Sequence, residues 1–296
     1  MANSIEAYLR ELKSEMEGSD IATIQDALSD AEEHLSTALK NQQMEQPELD
    51  SQVALAAIIE QYGTPAETAS AYKEVERRTS PALVRPASPK PASILGRFFG
   101  VYIDPKAWGS MLYMLISLVT GIFYFTWVVT GLSLSLGLAV LIFGLPLGLF
   151  FILSVRGLAL LEGRIVEALL GVRMPRRPLF APQGGKWLDR IKALLLDKHT
   201  WLAMLYMGLQ LILGILYFTL LVVPLSISAT FFITPAVQMI YHIPVISLNG
   251  TQYFLSPGYL ILCVLGGILL LTLTMHMSKG IGQLHGRFAK FMLVTE

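Results

Sequence analysis

Residues 107–155 read AWGSMLYMLISLVTGIFYFTWVVTGLSLSLGLAVLIFGLPLGLFFILSV, a run of 49 residues without Asp, Glu, Lys or Arg. A second run without these residue types covers the 80 residues 199–278. A membrane-spanning helix needs roughly 20 apolar residues. The first run therefore predicts two spans joined by a tight turn. The second predicts two spans with about thirty residues of additional connection.

The predicted fold class is all-α: a polytopic membrane protein that also has a soluble helical domain at its N-terminus. The four predicted membrane spans are residues 111–130, 134–155, 202–222 and 259–277. Residues 225–240 are apolar enough for a further helix. Three prolines (Pro224, Pro235 and Pro244) make that segment irregular, so the sequence leaves the extra helix open.

Composition supports the membrane assignment. The chain is 53% apolar and 15% charged, with a mean hydropathy of +0.56, whereas soluble domains carry about 25% charged residues. The net charge is zero, but the charges are unevenly distributed along the chain. Residues 1–80 hold 6 basic and 16 acidic side chains, and the remaining residues hold 16 basic and 6 acidic side chains. The single cysteine, Cys263, excludes an internal disulfide. The acidic first residues lack an apolar core, so we expect no cleaved export signal.

The positions of Lys and Arg predict the orientation. All of them lie before the first span, between the second and third spans, or after the fourth. Basic residues are retained on the cytoplasmic side of a membrane. We therefore expect a cytoplasmic N-terminus, middle loop and C-terminus. The turn at residues 130–133 and the loop at residues 236–258 are expected to face outward.

The membrane part is predicted to be a duplication. Residues 108–133 align with residues 201–226 at an offset of 93, with 14 of 26 positions identical. Upstream, Asp104 matches Asp197, and downstream an offset of 123 aligns Arg156 with Lys279. The predicted repeats cover about residues 94–172 and 187–292. Because each copy has an even number of spans, we expect two parallel hairpins related by an axis along the membrane normal.

Each repeat is predicted to begin with an interfacial amphipathic helix, at residues 94–102 and 187–195. The basic residues of these segments would face anionic lipid headgroups. The Asp that precedes each span pair, Asp104 or Asp197, is positioned to cap the coming helix.

Residues 1–78 are predicted to form a separate soluble domain of amphipathic helices. Gly63 suits a helix C-cap, and Thr64-Pro65-Ala66-Glu67 suits the start of a new helix with a capping box. The Pro-rich residues 79–93 predict a semi-rigid linker. The acidic surface of the domain is either a solvated exterior or a docking face, for a basic partner or for the basic remainder of the chain itself.

Two family resemblances follow from these motifs. The first domain resembles the HAAS family of small bacterial helical signalling modules, through Tyr8-Leu9-x-x-Leu12, Asp30-x-Glu32-x-His34-Leu35 and Tyr62-Gly63-Thr64-Pro65-x-x-x-Ala69. Residues 94–292 resemble the transmembrane sensor domain at the front of some bacterial histidine kinases. They do so through the Asp-x-x-x-Trp starts, the duplicated span pairs and the sequence Arg-Gly-Leu-x-Leu-Leu-Glu-Gly-Arg at 156–164. The resemblances imply a signalling role in the bacterial cytoplasmic membrane. No kinase module follows in the sequence, so any kinase activity is expected from another protein.

Catalytic signatures are absent from the sequence. It contains no P-loop, GxSxG, HExxH or paired-cysteine motif. We expect no enzyme activity, no cofactor, no metal site and no direct binding of nucleic acid. Candidate ligand-binding residues lie in the spans and in the outer loop, with helix packing as the alternative role for those in the spans: Tyr124, Thr126, Tyr217, Thr219, Tyr241, His242 and Tyr253.

The favoured function is a non-enzymatic sensor that relays a membrane or extracytoplasmic stimulus to a cytoplasmic regulatory protein through residues 1–78. The alternative is the membrane subunit of a transporter that works with a cytoplasmic ATPase. No carboxylate lies in either uncharged run, which argues against proton-coupled transport. Co-purification of an ATPase would favour the transporter, and co-purification of a kinase or transcription factor would favour the sensor.

Overall fold

The computed structural model describes residues 4–78, 83, 93–138, 144–176 and 196–294. These residues are almost entirely helical, which confirms the all-α class. A short 3-10 turn covers Gly100–Tyr102, and two short antiparallel strands, β1 (Ile246–Leu248) and β2 (Thr251–Tyr253), form a hairpin. The helices are α1 (Ile5–Glu15), α2 (Ile21–Glu45), α3 (Ser51–Tyr62), α4 (Pro65–Arg78), α5 (Ile94–Phe99), α6 (Pro105–Gly137), α7 (Gly144–Leu170), α8 (Lys198–Tyr241) and α9 (Pro257–Leu293).

Three of the described helices, α6, α8 and α9, are long and apolar enough to cross a membrane. They support the assignment of the chain as a membrane protein. The predicted span at 134–155 is not among them. Its residues are divided between the end of α6, the start of α7 and residues 139–143, which lie outside the described part of the chain. The predicted linker and the second amphipathic segment also fall largely or wholly outside it.

The structure corrects one predicted turn and shows the conformation of residues 225–240, which the sequence left open. The turn expected at residues 130–133 is wrong, because α6 continues through these residues to Gly137. This stretch contains one glycine and no proline, so it lacks a strong helix breaker. Residues 225–240 are helical, since α8 continues through Pro224 and Pro235 to Tyr241. Each internal proline removes one backbone hydrogen bond, and a long apolar helix tolerates that loss.

The chain divides into two compact units. Unit 1 contains Met1–Val84, Trp127–Met207 and Arg287–Glu296, and unit 2 contains Arg85–Thr126 and Gly208–Gly286. Helices α6, α8 and α9 each pass from one unit into the other.

The first four helices, here called the head (residues 4–78), have their own apolar core in unit 1. Its buried members are Tyr8, Leu12, Met16, Ala27, Ala31, Leu35, Ile58 and Ala69. Asp20 caps α2 by accepting a hydrogen bond from the Ala22 N–H at 2.9 Å. The predicted capping box of α4 is confirmed. The Glu67 carboxylate accepts from the Thr64 N–H at 2.9 Å, and the Thr64 hydroxyl accepts from the Glu67 N–H at 3.3 Å.

The hydroxyl of Tyr8 ties α1 to the turn before α4. The side chain is fully buried, and its hydroxyl donates to the Gly63 carbonyl at 2.9 Å and bonds the Thr68 hydroxyl at 2.9 Å. Burial raises the pKa of Tyr8.

Tyr8→Phe is expected to destabilise the head by about 1–3 kcal/mol, because the Gly63 carbonyl and the Thr68 hydroxyl lose a partner away from water. Faster hydrogen exchange of the α1 and α4 amides in the full chain would report this change. Tyr8→Leu should cost more, since it also removes aromatic packing. Unchanged exchange in Tyr8→Phe would show that the hydroxyl adds nothing.

Inside unit 2, α6 and α8 cross at a pair of glycines. A Cβ on Gly121 would lie 2.5 Å from the carbonyl oxygen of Gln210, and a Cβ on Gly214 would lie 2.4 Å from the carbonyl oxygen of Ser117. The offset of 93 maps Gly121 onto Gly214 and Ser117 onto Gln210, so each contact is the counterpart of the other. This reciprocity is typical of an interface between two equivalent elements related by a two-fold axis.

The direction of this crossing is opposite to the one expected from parallel hairpins. Along α6, Met114 packs with Tyr217 and Leu221, whereas Gly121, further along, meets Gln210. Residue numbers therefore rise along α6 as they fall along α8, and these segments of unit 2 run antiparallel. The sequence identities establish which residues are equivalent, but they carry no information on the direction of one copy relative to the other.

Candidate functional site

A largely buried ion cluster joins the head to the segment that follows α7, within unit 1. Asp26, on α2, is only 6% exposed. Its carboxylate accepts a hydrogen bond from Arg173 Nη2 at 3.1 Å and another from the backbone N–H of Arg176 at 2.7 Å. The two arginines lie in residues 171–176, directly after α7 ends at Leu170.

A second carboxylate completes this group. Glu167, in the last turn of α7, accepts from Arg173 Nη1 at 3.3 Å and from Arg176 Nη2 at 2.9 Å. We call Asp26, Glu167, Arg173 and Arg176 the junction cluster. Removing one member of a buried ion group leaves an uncompensated charge, which costs about 3–5 kcal/mol. The cluster therefore makes the position of α2 sensitive to the position of the α7 end.

A second ion pair connects the head to the end of α9, also in unit 1. Lys290 Nζ lies 2.5 Å from Asp20 Oδ2, at the cap of α2. Both groups are partly exposed, so this pair adds little stability by itself. Together with the junction cluster, it shows that part of the acidic surface of the head docks onto basic residues of the same chain.

Ion pairs also lie at the beginnings of α6 and α8. In unit 2, Asp104 lies 2.6 Å from Lys279 Nζ, and in unit 1, Asp197 lies 2.5 Å from Arg156 Nη2. The offsets of 93 and 123 map one pair onto the other. Both aspartates accept backbone N–H bonds, from Lys106 at 3.0 Å and from His199 at 3.2 Å, which confirms the predicted caps.

The two capping aspartates stay ionised at neutral pH. Partial burial of each carboxyl opposes ionisation, but its hydrogen bonds and the neighbouring cation outweigh burial and lower the pKa. A carboxyl with a lowered folded-state pKa stabilises the fold above its unfolded-state pKa. That contribution is lost as the pH falls through the folded-state pKa.

Buried polar side chains lie further along the same helices. In unit 2, the His285 ring bonds the Tyr113 hydroxyl through Nε2 at 2.5 Å and the Tyr217 hydroxyl through Nδ1 at 3.1 Å. The Gln210 amide donates to the Tyr113 hydroxyl at 2.9 Å. These four side chains, all at most 9% exposed, form a buried polar group between α6, α8 and α9.

Unit 1 contains a counterpart of this group. The Tyr206 hydroxyl donates to the Glu162 carboxylate at 3.0 Å, and both side chains are fully buried. The offsets map Tyr113 onto Tyr206 and Glu162 onto His285. In each unit, therefore, a tyrosine near the start of one predicted hairpin bonds a polar residue in the exit helix of the other.

His285→Phe is expected to destabilise the protein by about 1–3 kcal/mol, because the hydroxyls of Tyr113 and Tyr217 lose a buried partner. Thermal unfolding of the detergent-solubilised full chain would measure the loss. Leu284→Phe is a matched control, since Leu284 is the neighbouring residue on α9 and is 67% exposed. Equal melting temperatures for both variants would contradict a stabilising role of the buried polar group.

Only one of the seven sequence-predicted ligand residues belongs to either polar group. Tyr217 bonds His285, and Tyr124 is buried on α6 with 1% exposure. The other five are exposed, and Thr219 uses its hydroxyl to bond the Ile215 carbonyl of its own helix at 2.8 Å. The exposed five are Thr126, Thr219, Tyr241, His242 and Tyr253.

The junction cluster was not predicted as a site, although the sequence contains a signal for it. Residues 156–176 are rich in arginine, and Glu162 and Glu167 are their only carboxylates. An isolated carboxylate in a basic segment near the membrane is a candidate for ion pairing. Its partner on α2 is distant in sequence, so the pairing with Asp26 could not be read from spacing.

Comparison with known protein families gives a match to the region from α6 to α9. A family model described as "Putative sensor" matches residues 113–293, from α6 to the end of α9. No curated protein matches the chain, and no solved structure matches it. The match covers more than half of the sequence and includes Glu162, Glu167, Arg173 and His285. The chain therefore belongs to the Sensor family.

Proposed function

We propose that this protein is a non-enzymatic membrane sensor of bacterial signalling, in which the Sensor-family domain changes the docking of the head and the head binds a cytoplasmic regulatory protein. The family match supports the sensing role. The HAAS resemblance of residues 1–78 supports the role of the head as a signalling module.

The junction cluster is the observation that carries this proposal. Asp26 belongs to the head, whereas Glu167, Arg173 and Arg176 belong to the region matched by the family. A sensor needs a physical connection between its sensing domain and its output module. It also needs two states that its stimulus distinguishes by differential affinity. A buried ion group suits such a switch, because its attraction is strong when paired and its separated charges are costly until water reaches them.

The proposed membrane arrangement has four spans, a cytoplasmic head and a cytoplasmic C-terminus. The distribution of Lys and Arg supports this orientation. The antiparallel contacts between α6 and α8 in unit 2 favour opposite directions for the two hairpins. Reporter fusions separate these alternatives.

A phosphatase and β-galactosidase reporter pair fused after Val172, at Gly250 and after Glu296 is expected to show cytoplasmic, external and cytoplasmic positions, respectively. The expectation follows from the basic residues that lie within residues 156–198 and after residue 278. External positions for the Val172 and Glu296 fusions together with an internal position for the Gly250 fusion would support opposed hairpins and contradict the four-span topology.

Photo-crosslinking from the head in living cells tests the function itself. A photoreactive amino acid at Glu60, which is exposed on α3, should capture a kinase, a response regulator or a transcription factor. Capture should change when Arg173→Met breaks the junction cluster and should stay constant in the matched variant Arg10→Met, which alters an exposed arginine of α1. Capture of an ATPase, or identical capture in all three proteins, would reject the proposal.

A further inference from the structure

An apolar groove lies in unit 2 where α8, the β1–β2 hairpin region and the start of α9 meet. Its volume of about 400 Å³ lies within the range of roughly 300–1,000 Å³ that is usual for small-molecule sites. The lining residues are Thr230, Phe231, Thr234, Val245, Ile246, Leu255, Tyr259, Leu262 and Cys263.

The chemistry of the lining favours an uncharged, apolar occupant. The hydroxyls of Thr230 and Thr234 donate to backbone carbonyls four residues earlier on α8, at 2.9 Å and 2.8 Å. Because the hydroxyls are bonded within the helix, the methyl groups are the parts of these side chains that contact an occupant of the groove. No lining residue is charged, and residues 199–278 contain no Lys or Arg to pair with a phosphate or carboxylate. Burying an unpaired charge there would be strongly unfavourable.

One wall of the groove is held in place by a buried glutamine. The Gln238 side chain, 8% exposed, donates to the Leu255 carbonyl at 2.7 Å and accepts from the Leu255 N–H at 2.8 Å. This pair of hydrogen bonds fixes the segment before α9 against α8. A preformed wall lowers the ordering cost of binding.

The position of the groove indicates where the occupant comes from. The lining residues of α8 and α9 belong to two of the candidate membrane spans. Lipid tails are the surrounding solvent of such helices, so a tail enters the groove without transfer from water, and its affinity comes from packing contacts with the lining side chains.

We propose that this groove binds one hydrocarbon tail of a bilayer lipid, and that the tail, not the headgroup, determines the affinity. The inference deepens the proposed function, because a tail-dependent site is a way for a sensor to respond to membrane composition. Binding itself does not require the head or its partner.

Photolabelling of the full chain in lipid nanodiscs tests the proposal. The probe is phosphatidylcholine with a diazirine near the end of one tail, and the labelled residues are identified by mass spectrometry. Label is expected to concentrate on the groove residues, with Thr234→Trp reducing it about ten-fold by filling the groove. Ile233→Trp is the matched control, because Ile233 is the neighbouring residue, is 56% exposed and does not line the groove.

Competition separates the tail from the headgroup. Unlabelled phosphatidylcholine and phosphatidylglycerol with the same tails should compete equally. Lipids with eight-carbon tails should compete about ten-fold less, because a shorter tail makes fewer van der Waals contacts with the groove. Stronger competition by one headgroup would overturn the assignment to the tail.

A uniform label along the exposed faces, including Ile261 and Leu269, would identify ordinary boundary lipid and reject a specific site. If Thr234→Trp does not fold, alkylation of Cys263 with N-ethylmaleimide fills the same groove in the wild-type chain, since Cys263 is the single cysteine. If photo-crosslinking from Glu60 captures no partner while the lipid probe still labels the groove, the proposed function is rejected and the lipid-tail site is not.

Discussion

Arg173→Met is expected to release the head from the end of α7. Arg173 is 12% exposed and bonds both Asp26 and Glu167, so its loss leaves two nearly buried carboxylates with fewer partners. The cost of such a change is about 3–5 kcal/mol. Zero-length carbodiimide crosslinking between Asp20 and Lys290, whose charged atoms lie 2.5 Å apart, measures the docking of α2 separately from the altered residue.

We expect the Asp20–Lys290 crosslink to fall strongly in Arg173→Met and to stay at the wild-type level in Arg10→Met. Asp26→Asn should weaken the same crosslink. The double variant Asp26→Asn/Arg173→Met should lose less than the sum of the two single changes, because the charges of a coupled pair are removed together. A wild-type crosslink yield in Arg173→Met would show that the junction cluster does not hold the head.

Gly121→Ala and Gly214→Ala are expected to destabilise the helix crossing of unit 2 to a similar extent. Each new Cβ would lie within 2.5 Å of a backbone carbonyl oxygen, and backbone atoms cannot move aside as a flexible side chain does. Overpacking of this kind costs about 1–3 kcal/mol. The thermal midpoint of the detergent-solubilised chain should therefore fall in both variants.

Gly208→Ala provides the matched control on α8, because its Cβ would have no neighbour within 4 Å among the described residues. Its midpoint should be unchanged or slightly higher, since alanine is a better helix former than glycine by about 1 kcal/mol. A fall in Gly208→Ala equal to the falls in the other two would show that the variants report helix flexibility and not the close approach of α6 and α8.

Local features of this fold were accessible from the sequence because they depend on neighbouring residues. The capping box at Thr64 and Glu67 and the helix caps at Asp104 and Asp197 involve side chains within three residues of the amide they bond. The apolar character of α6, α8 and α9 follows directly from composition. The equivalence of Gly121 and Gly214 was likewise visible from the repeat.

Features that depend on packing between residues distant in sequence could not be predicted from the sequence. The pairing of Asp26 with Arg173 joins residues 147 positions apart, and the Tyr113–His285 contact joins residues 172 apart. The four-span placement assumed a turn at residues 130–133, where the helix continues to Gly137. The direction of α8 along α6 depends on which faces pack together, and two similar stretches of sequence offer similar faces in either direction.

The passage of α6, α8 and α9 through both units limits how the protein can be dissected. Each unit is assembled from stretches that are not contiguous in the gene. A cut at residue 126 or 207 would therefore separate segments that pack together within one unit. Each fragment would then expose apolar side chains that the intact chain buries. Domain-by-domain expression is expected to give aggregates, and functional dissection is better done by point substitution in the intact polypeptide.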